Sequence, residues 1–306
     1  MSTHNDHYWS ETDSGIAQIS FLARSRGIRI MLKPHLWLLS HERGVWLSDI
    51  AMESEEEWNR WFDSYGRFIL HYAQLAQRIE AEVFCVGTEL RRTAAERTQD
   101  WRRIVSNVKD RFSGKITYAA NWNGEVHDIA FWDELDYIGV QGYFPLSKRP
   151  DPPLSECRQS WEQHAQSLDS LSRRYNRPVL FTEIGYRSTS DTAIRPWEWP
   201  GVLSGIVQRA SSETQANCYE SFFSVFWNKR WFAGAHIWKW YADHSEAGGT
   251  RNIDFTPQNK PAQNILARWY ARPGKTVNIS GPLDSTTSLL SSRQSQQLLN
   301  TTGPIR

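Results

Sequence analysis

Short apolar runs alternate with long amphipathic stretches through most of this 306-residue chain. That alternation constrains the fold more than any other feature. Six runs read as strands, near 28–33, 82–87, 115–120, 136–142, 178–183 and 234–239. Helical periodicity precedes or separates them: from Asp13 or Ser14 to Ser25, Glu53 to Ile79, Thr98 to Phe112, Cys157 to Tyr175, Ser212 to Lys229 and Pro257 to Tyr270. In the longest, Trp58, Trp61, Phe62, Tyr65, Phe68, Ile69, Tyr72 and Leu75 recur every three or four residues. Ser54 and Glu57 form a candidate capping box before it. Strand–helix–strand alternation needs crossover connections, so the expected architecture is α/β with a parallel sheet under helices.

Two of the runs deliver a glutamate. Val83-Phe84-Cys85-Val86-Gly87-Thr88 leads to Glu89, and Pro178-Val179-Leu180-Phe181-Thr182 leads to Glu183 and then Ile184-Gly185-Tyr186. Both runs are apolar on both faces, as strands covered on two sides are. In a parallel barrel the active site lies at the carboxyl ends of the strands, so a glutamate there is placed for chemistry. Taken singly, such a residue is often just the first exposed position after a core segment. Two in the same context suggest a carboxylate pair of the kind that hydrolyses glycosidic bonds.

Composition narrows the alternatives. Lys and Arg number 35 against 34 Asp and Glu, so nothing points to nucleic acid or an anionic membrane. No stretch approaches the roughly 20 apolar residues of a membrane span. Cys85, Cys157 and Cys218 are too few and too odd in number for a disulfide framework, and Cys85 reads as a small core residue. No HExxH and no paired CxxC occurs, so no metal or other cofactor is expected. The 16 Trp are unusual. Aromatic rings pack cores but also stack on sugar faces. Trp37, Trp122, Trp238 and Trp240 fall at strand ends or in loops, whereas Trp58 and Trp61 read as helix packing.

The ends are polar. Met1 to Ser14 has no apolar core of a signal peptide, which leaves the compartment open, a secreted or cell-envelope parent included. From about Arg272 the chain turns to Ser, Thr, Gln, Gly and Pro, which predicts a disordered or loosely laid tail over 272–306. The expected folded unit is therefore 1–271, as a monomer.

The chain resembles the clan of retaining glycoside hydrolases built on TIM-type (β/α)8 barrels, and most resembles glycoside hydrolase family 113, whose characterised members are β-1,4-mannanases. The resemblance runs over about residues 13–271. It rests on Lys33-Pro34-His35, Phe84 to Leu90, Tyr137 to Tyr143, Phe181 to Tyr186, Trp238-Lys239-Trp240 and Asn259-Lys260-Pro261-Ala262. The clan usually carries Asn before its acid/base glutamate; Thr88 stands there here, as is similar in family 113. In the clan the acid/base follows strand four and the nucleophile strand seven. Here the second and fifth strands carry the glutamates. The resemblance thus implies about six β/α units, with the first two strands lacking, either in an N-terminally incomplete chain or in a degenerate barrel. An open six-strand array exposes two sheet edges and part of its core.

The resemblance also implies roles. Glu183 is the nucleophile and Glu89 the acid/base, on carboxyls about 5–5.5 Å apart in retaining enzymes. The acid must keep its proton until the leaving oxygen takes it. Tyr143 resembles the tyrosine that hydrogen-bonds the nucleophile; its bland reading is a core-edge Tyr. Trp238 or Trp240 resembles the aromatic under the reacting sugar. Both would face one side of a strand, and Trp238 is favoured. Lys33 and His35 stand where the family contacts sugar, though a lone His is as often structural. Asn121 and Trp122 are candidates to line the cleft, and Trp197 and Trp199 to form a more distant subsite.

The expected substrate is thus a β-1,4-mannan or related β-glycan, as polysaccharide or oligosaccharide. The competing reading is an inactive truncated barrel that binds carbohydrate. A non-carbohydrate hydrolase is disfavoured, because no Ser or Cys nucleophile motif is present.

Overall fold

The computed structural model describes residues 12–38, 46–199 and 209–272. The N-terminal polar stretch, the segment around Gly44, the Gly201 end of the loop after Tyr186 and all but the first residue of the 272–306 tail lie outside the described residues.

Six strands form one sheet in chain order: β1 (Met31–Leu32), β2 (Val83–Thr88), β3 (Lys115–Asn121), β4 (Ile138–Gln141), β5 (Val179–Ile184) and β6 (Phe232–Ile237). Every neighbouring pair is parallel. The helices are α1 (Asp13–Arg24), α2 (Glu55–Arg78), α3 (Arg91–Glu96), α4 (Thr98–Lys109), α5 (Glu125–Asp128), α6 (Leu154–Tyr175), α7 (Ser212–Phe226) and α8 (Pro261–Tyr270). The sheet curls into a half-barrel of α/β, TIM-type character.

Local chemistry explains the boundaries. α1 is capped by Thr12, whose hydroxyl accepts the Gly15 N–H at 3.1 Å, one residue before the expected Asp13 or Ser14. α2 starts where Ser54 accepts the Glu57 N–H at 3.3 Å, but the Glu57 carboxylate returns to Glu53 N at 3.0 Å. The box is therefore closed one residue upstream. Glu55, Glu56 and Glu57 in the first turn and Arg78 in the last both suit the helix dipole. The predicted stripe is buried except at Trp61, which is half-buried: Phe62, Tyr65 and Ile69 are each at most 2% exposed. Truncating Phe62 to Ala should cost about 3–5 kcal/mol.

Some limits moved. β1 is shorter than 28–33, because the Ile30 N–H goes to the Glu82 carboxylate at 2.6 Å. β4 starts late, at Ile138: the Ile116 N–H goes to the Asp136 side chain at 2.9 Å rather than to a backbone carbonyl. α6 begins at Leu154, directly after Pro153. α8 begins at Pro261, which suits a first-turn proline. α3 was not expected; it is short and rich in charge. β6 is two residues earlier than 234–239, so Trp238, Lys239 and Trp240 lie beyond its end and share no strand face.

Burial separates the middle of the sheet from its edges. β4 and β5 are buried at every position and β2 at all but Val83. β1 is half-buried throughout, and β6 is buried only at Phe232. Cys85 is indeed core. Rings fill the layer between sheet and helices. Trp101 stacks on Phe131 at 5.6 Å and meets Tyr118 edge-on at 5.3 Å. Gly87 is required beneath them: a Cβ there would lie 2.6 Å from Trp101.

Candidate active site

The carboxyl ends of the strands open into a cleft of about 840 Å³. β2 ends one residue before Glu89, whose backbone turns into the left-handed region at φ +52°. That region costs a residue with a Cβ about 1–2 kcal/mol. The turn is tied by the Glu89 N–H, which donates to Ala119 O at 3.0 Å. Glu183 lies within β5, two residues before Gly185. A Cβ on Gly185 would meet Trp238 O at 2.4 Å, so the loop after β6 can come close only over glycine.

The two carboxylates are nearly buried, Glu89 at 8% and Glu183 at 7% exposure. Their partners differ. Glu183 Oε1 accepts from the Lys33 ammonium, and Oε2 accepts from the Tyr143 hydroxyl at 2.6 Å. Lys33 also donates to Gln141 Oε1 at 3.1 Å. Glu89 Oε1 accepts from Asn121 Nδ2 at 2.8 Å, and Oε2 accepts from the Trp46 indole N–H at 2.8 Å. One carboxylate is held by a cation and a phenol, the other by two neutral N–H groups.

Neighbouring groups are tuned by burial. The Tyr143 phenol is pushed well above its ordinary range by desolvation, then by the Glu183 charge beside it, so it stays a donor. His35 Nε2 stands 3.9 Å from Glu183 Oε1. Desolvation in the cleft wall, then the Lys33 ammonium, lowers its imidazole to about 4 despite the opposing Glu183 charge. The ring keeps 41% of its side-chain surface open to the cleft side. His35 is neutral near pH 7 and contributes a dipole rather than a charge.

Tryptophans line the remaining walls. Trp122 stacks with Trp197 at 5.4 Å, and Trp199 meets Trp238 edge-on at 6.2 Å. Trp37 is 70% exposed at the same cleft.

A sequence profile of Glycoside Hydrolase Family 113 matches residues 3–260. The chain belongs to glycoside hydrolase family 113. Solved structures of that family superpose on this glycoside hydrolase. A β-mannanase from Alicyclobacillus acidocaldarius, solved with ManMIm, is 27% identical at TM-score 0.71, covering 85% of this chain and 78% of that one. A GH113 β-1,4-mannanase is 26% identical at TM-score 0.71, over 86% and 80% of the two chains. A complex of a GH113 β-1,4-mannanase has TM-score 0.72 at 24% identity, over 89% and 84%, a likeness of fold. No curated protein matches the chain.

Of the residues singled out from the family 113 sequence, Lys33, His35, Glu89, Asn121, Trp122, Tyr143, Glu183 and Trp238 converge on the cleft. Trp197 and Trp199 join them. Trp240 does not: it is 54% exposed and lines no part of the cleft. The strand that would have pointed both tryptophans the same way ends before them. Three residues with direct contacts escaped notice. Trp46 sits in a polar loop with no periodicity to flag it. Gln141 is two positions before Tyr143 on β4, which is a signal that could have been used. Glu125 lies behind Asn121, and its buried position is invisible in sequence. Among the described residues no group of three His, Cys, Asp or Glu is placed to hold a metal, and no helix is long and apolar enough to cross a membrane.

Proposed function

We propose that the protein is a retaining glycosidase that hydrolyses β-1,4-linked mannan or a closely related β-glycan by double displacement. The observation that carries this is the unequal company of the two carboxylates in one cleft. Glu183 attacks the anomeric carbon as a carboxylate. The Lys33 ammonium and the Tyr143 hydroxyl each hold one of its oxygens. Glu89 delivers a proton to the leaving oxygen and afterwards takes one from water. Its two partners are neutral donors, which orient the carboxyl without adding a positive charge. Attack by Glu183 forms the glycosyl–enzyme ester and removes the negative charge next to Lys33. Gln141 then remains as an acceptor for that ammonium. Water, activated by Glu89, releases the sugar with retained configuration.

Trp122, Trp197, Trp199 and Trp238 offer ring faces to the sugars, with Trp238 beneath the reacting residue. Lys33, His35 and Asn121 are within reach of its hydroxyls. The mannan assignment rests on the family's solved β-mannanases. The six strands correspond, in this reading, to the third through eighth of a (β/α)8 barrel. The half-buried β1 and β6 are the edges that two further strands would join. Those edges, joined by no further strand among the described residues, favour the second reading, a barrel that binds carbohydrate without turning it over.

The test is turnover of β-mannan oligosaccharides by the unaltered chain, Glu183→Gln and Glu89→Gln, with the first-formed anomer read by NMR. Activity with a retained anomer, lost in both variants, supports the glycosidase. Binding without turnover that survives Glu183→Gln supports the second reading. An inverted first product contradicts double displacement.

A further inference from the structure

Behind the proposed acid/base stands a third carboxyl that the mechanism does not use. Glu125, the first residue of α5, is fully buried. Its Oε1 accepts from the Tyr118 hydroxyl at 2.6 Å, and its Oε2 accepts from the Asn121 backbone N–H at 2.6 Å. Tyr118 in turn accepts the Leu90 N–H at 2.7 Å. Leu90 is the residue after Glu89, and the Asn121 side chain donates to Glu89 Oε1 at 2.8 Å. One buried carboxyl therefore holds, through Tyr118, the residue following Glu89 and, directly, the backbone of the asparagine whose side chain orients it.

We infer that Glu125 is a positioning residue for Glu89: through Tyr118 and Asn121 it fixes the left-handed turn and the carboxyl direction that proton transfer needs. The inference rests on the assignment of Glu89 as acid/base.

The surroundings favour a fixed post. Tyr118 comes from β3, Glu89 from the end of β2, and Arg91 from α3, where it pairs with Asp128 of α5 at 2.8 Å. Arg91 also donates to Asn123 O at 3.4 Å, so the 121–128 segment is clamped to the chain that follows Glu89. Burial is the main reason the Glu125 carboxyl is raised to about 8, and the Glu89 charge adds to it, while the bonds from Tyr118 and Asn121 and the Arg91 charge oppose it. The tie to β3 runs through both carboxyl oxygens, Oε1 to the Tyr118 hydroxyl and Oε2 to the Asn121 backbone N–H.

The consequence is specific to leaving groups. Cleavage of an oligosaccharide needs a proton from the acid, whereas departure of a dinitrophenolate does not. A loosened Glu89 should therefore spare the activated aryl glycoside. The experiment measures kcat/KM, which reports the first chemical step, for a mannan oligosaccharide and a dinitrophenyl β-mannoside. Glu125→Ala, Glu125→Gln and Glu89→Gln are compared with the unaltered protein, with Tm recorded for each. Glu125→Ala should lower the oligosaccharide value by about tenfold or more relative to the aryl value, a fraction of what the general acid supplies. Glu125→Gln keeps the volume and one acceptor and should show a smaller split of about threefold. Parallel losses on both substrates, or no loss, would overturn the inference, since a merely structural role moves Tm and both substrates together. If the alanine variant does not fold, an unchanged ratio in Glu125→Gln overturns it equally. If Glu89→Gln itself shows no split, the acid/base assignment fails. A split in Glu89→Gln alone removes only the role of Glu125.

Discussion

Glu183 and Glu89 share one cleft and keep different company. Around Glu183 are an ammonium from β1's end and a phenol from just past β4. Around Glu89 are an indole N–H from the loop before α2 and a side-chain amide from β3. Positive charge stabilises an anion; neutral donors mostly aim it. A chain that must attack with one carboxylate and pass protons with the other needs that asymmetry. Nothing in the two sequence motifs, each an apolar run ending at a glutamate, distinguishes them so well.

The largest effects should come from the carboxylates themselves. Glu183→Gln should lower kcat on mannan oligosaccharides by about 10,000-fold or more, as loss of a nucleophile does. Glu89→Gln should cost about 100- to 10,000-fold on the same substrate, the range of a general acid. Steady-state kinetics with oligosaccharide and activated aryl substrates separates the two. Equal losses across leaving groups in both variants would erase the asymmetry.

The partners come next. Lys33→Met removes a charged bond worth about 1.5–3 kcal/mol, or roughly 10- to 150-fold in kcat/KM. Trp46→Phe removes a single neutral donor worth about 1 kcal/mol, roughly fivefold. If Trp46→Phe costs more than Lys33→Met, the charge on the Glu183 side is not what matters.

Stability against pH gives a separate signal from the same network. Glu125 holds its proton more tightly folded than unfolded, because its carboxyl rises from 4.5 to about 8 on burial. Its contribution is full below the unfolded value and is lost as pH rises through about 8. Thermal unfolding from pH 5 to 9 should show that decline in the unaltered protein and a flatter curve in Glu125→Gln.

The smallest effect is expected at Trp240. Trp240→Ala should change kcat/KM less than about twofold, as surface substitutions do. Trp238→Ala should cost more than tenfold, roughly the value of a buried aromatic anchor. Oligosaccharide kinetics on both variants checks it.

How much of this could be read beforehand depended on the distance over which a residue acts. β2 and β5 were legible because a run apolar at nearly every position fits only a strand covered on both faces. The sheet edges were less so: β1 lost residues to the Glu82 side chain, and β6 shifted, carrying Trp240 away from the cleft. Lys33, Tyr143 and Asn121 were legible through the family resemblance, Lys33 as a sugar contact rather than as the partner of Glu183. Trp46, Gln141 and Glu125 were not: the first two work through partners brought near only by folding. Trp46 and Glu89 are 43 positions apart, and Lys33 and Gln141 are 108 apart. Glu125 bonds within its own neighbourhood, yet its burial comes from the packed β2–β3 layer.

The central claim is that Glu183 becomes covalently bonded to sugar. An activated 2-deoxy-2-fluoro β-mannoside, which forms the ester but releases it slowly, followed by peptide mapping of the labelled protein, tests it directly. The account predicts one label, on the peptide spanning Val179 to Tyr186, at Glu183. A label on Glu89, or catalytic turnover with an inverted product and no label, would contradict it.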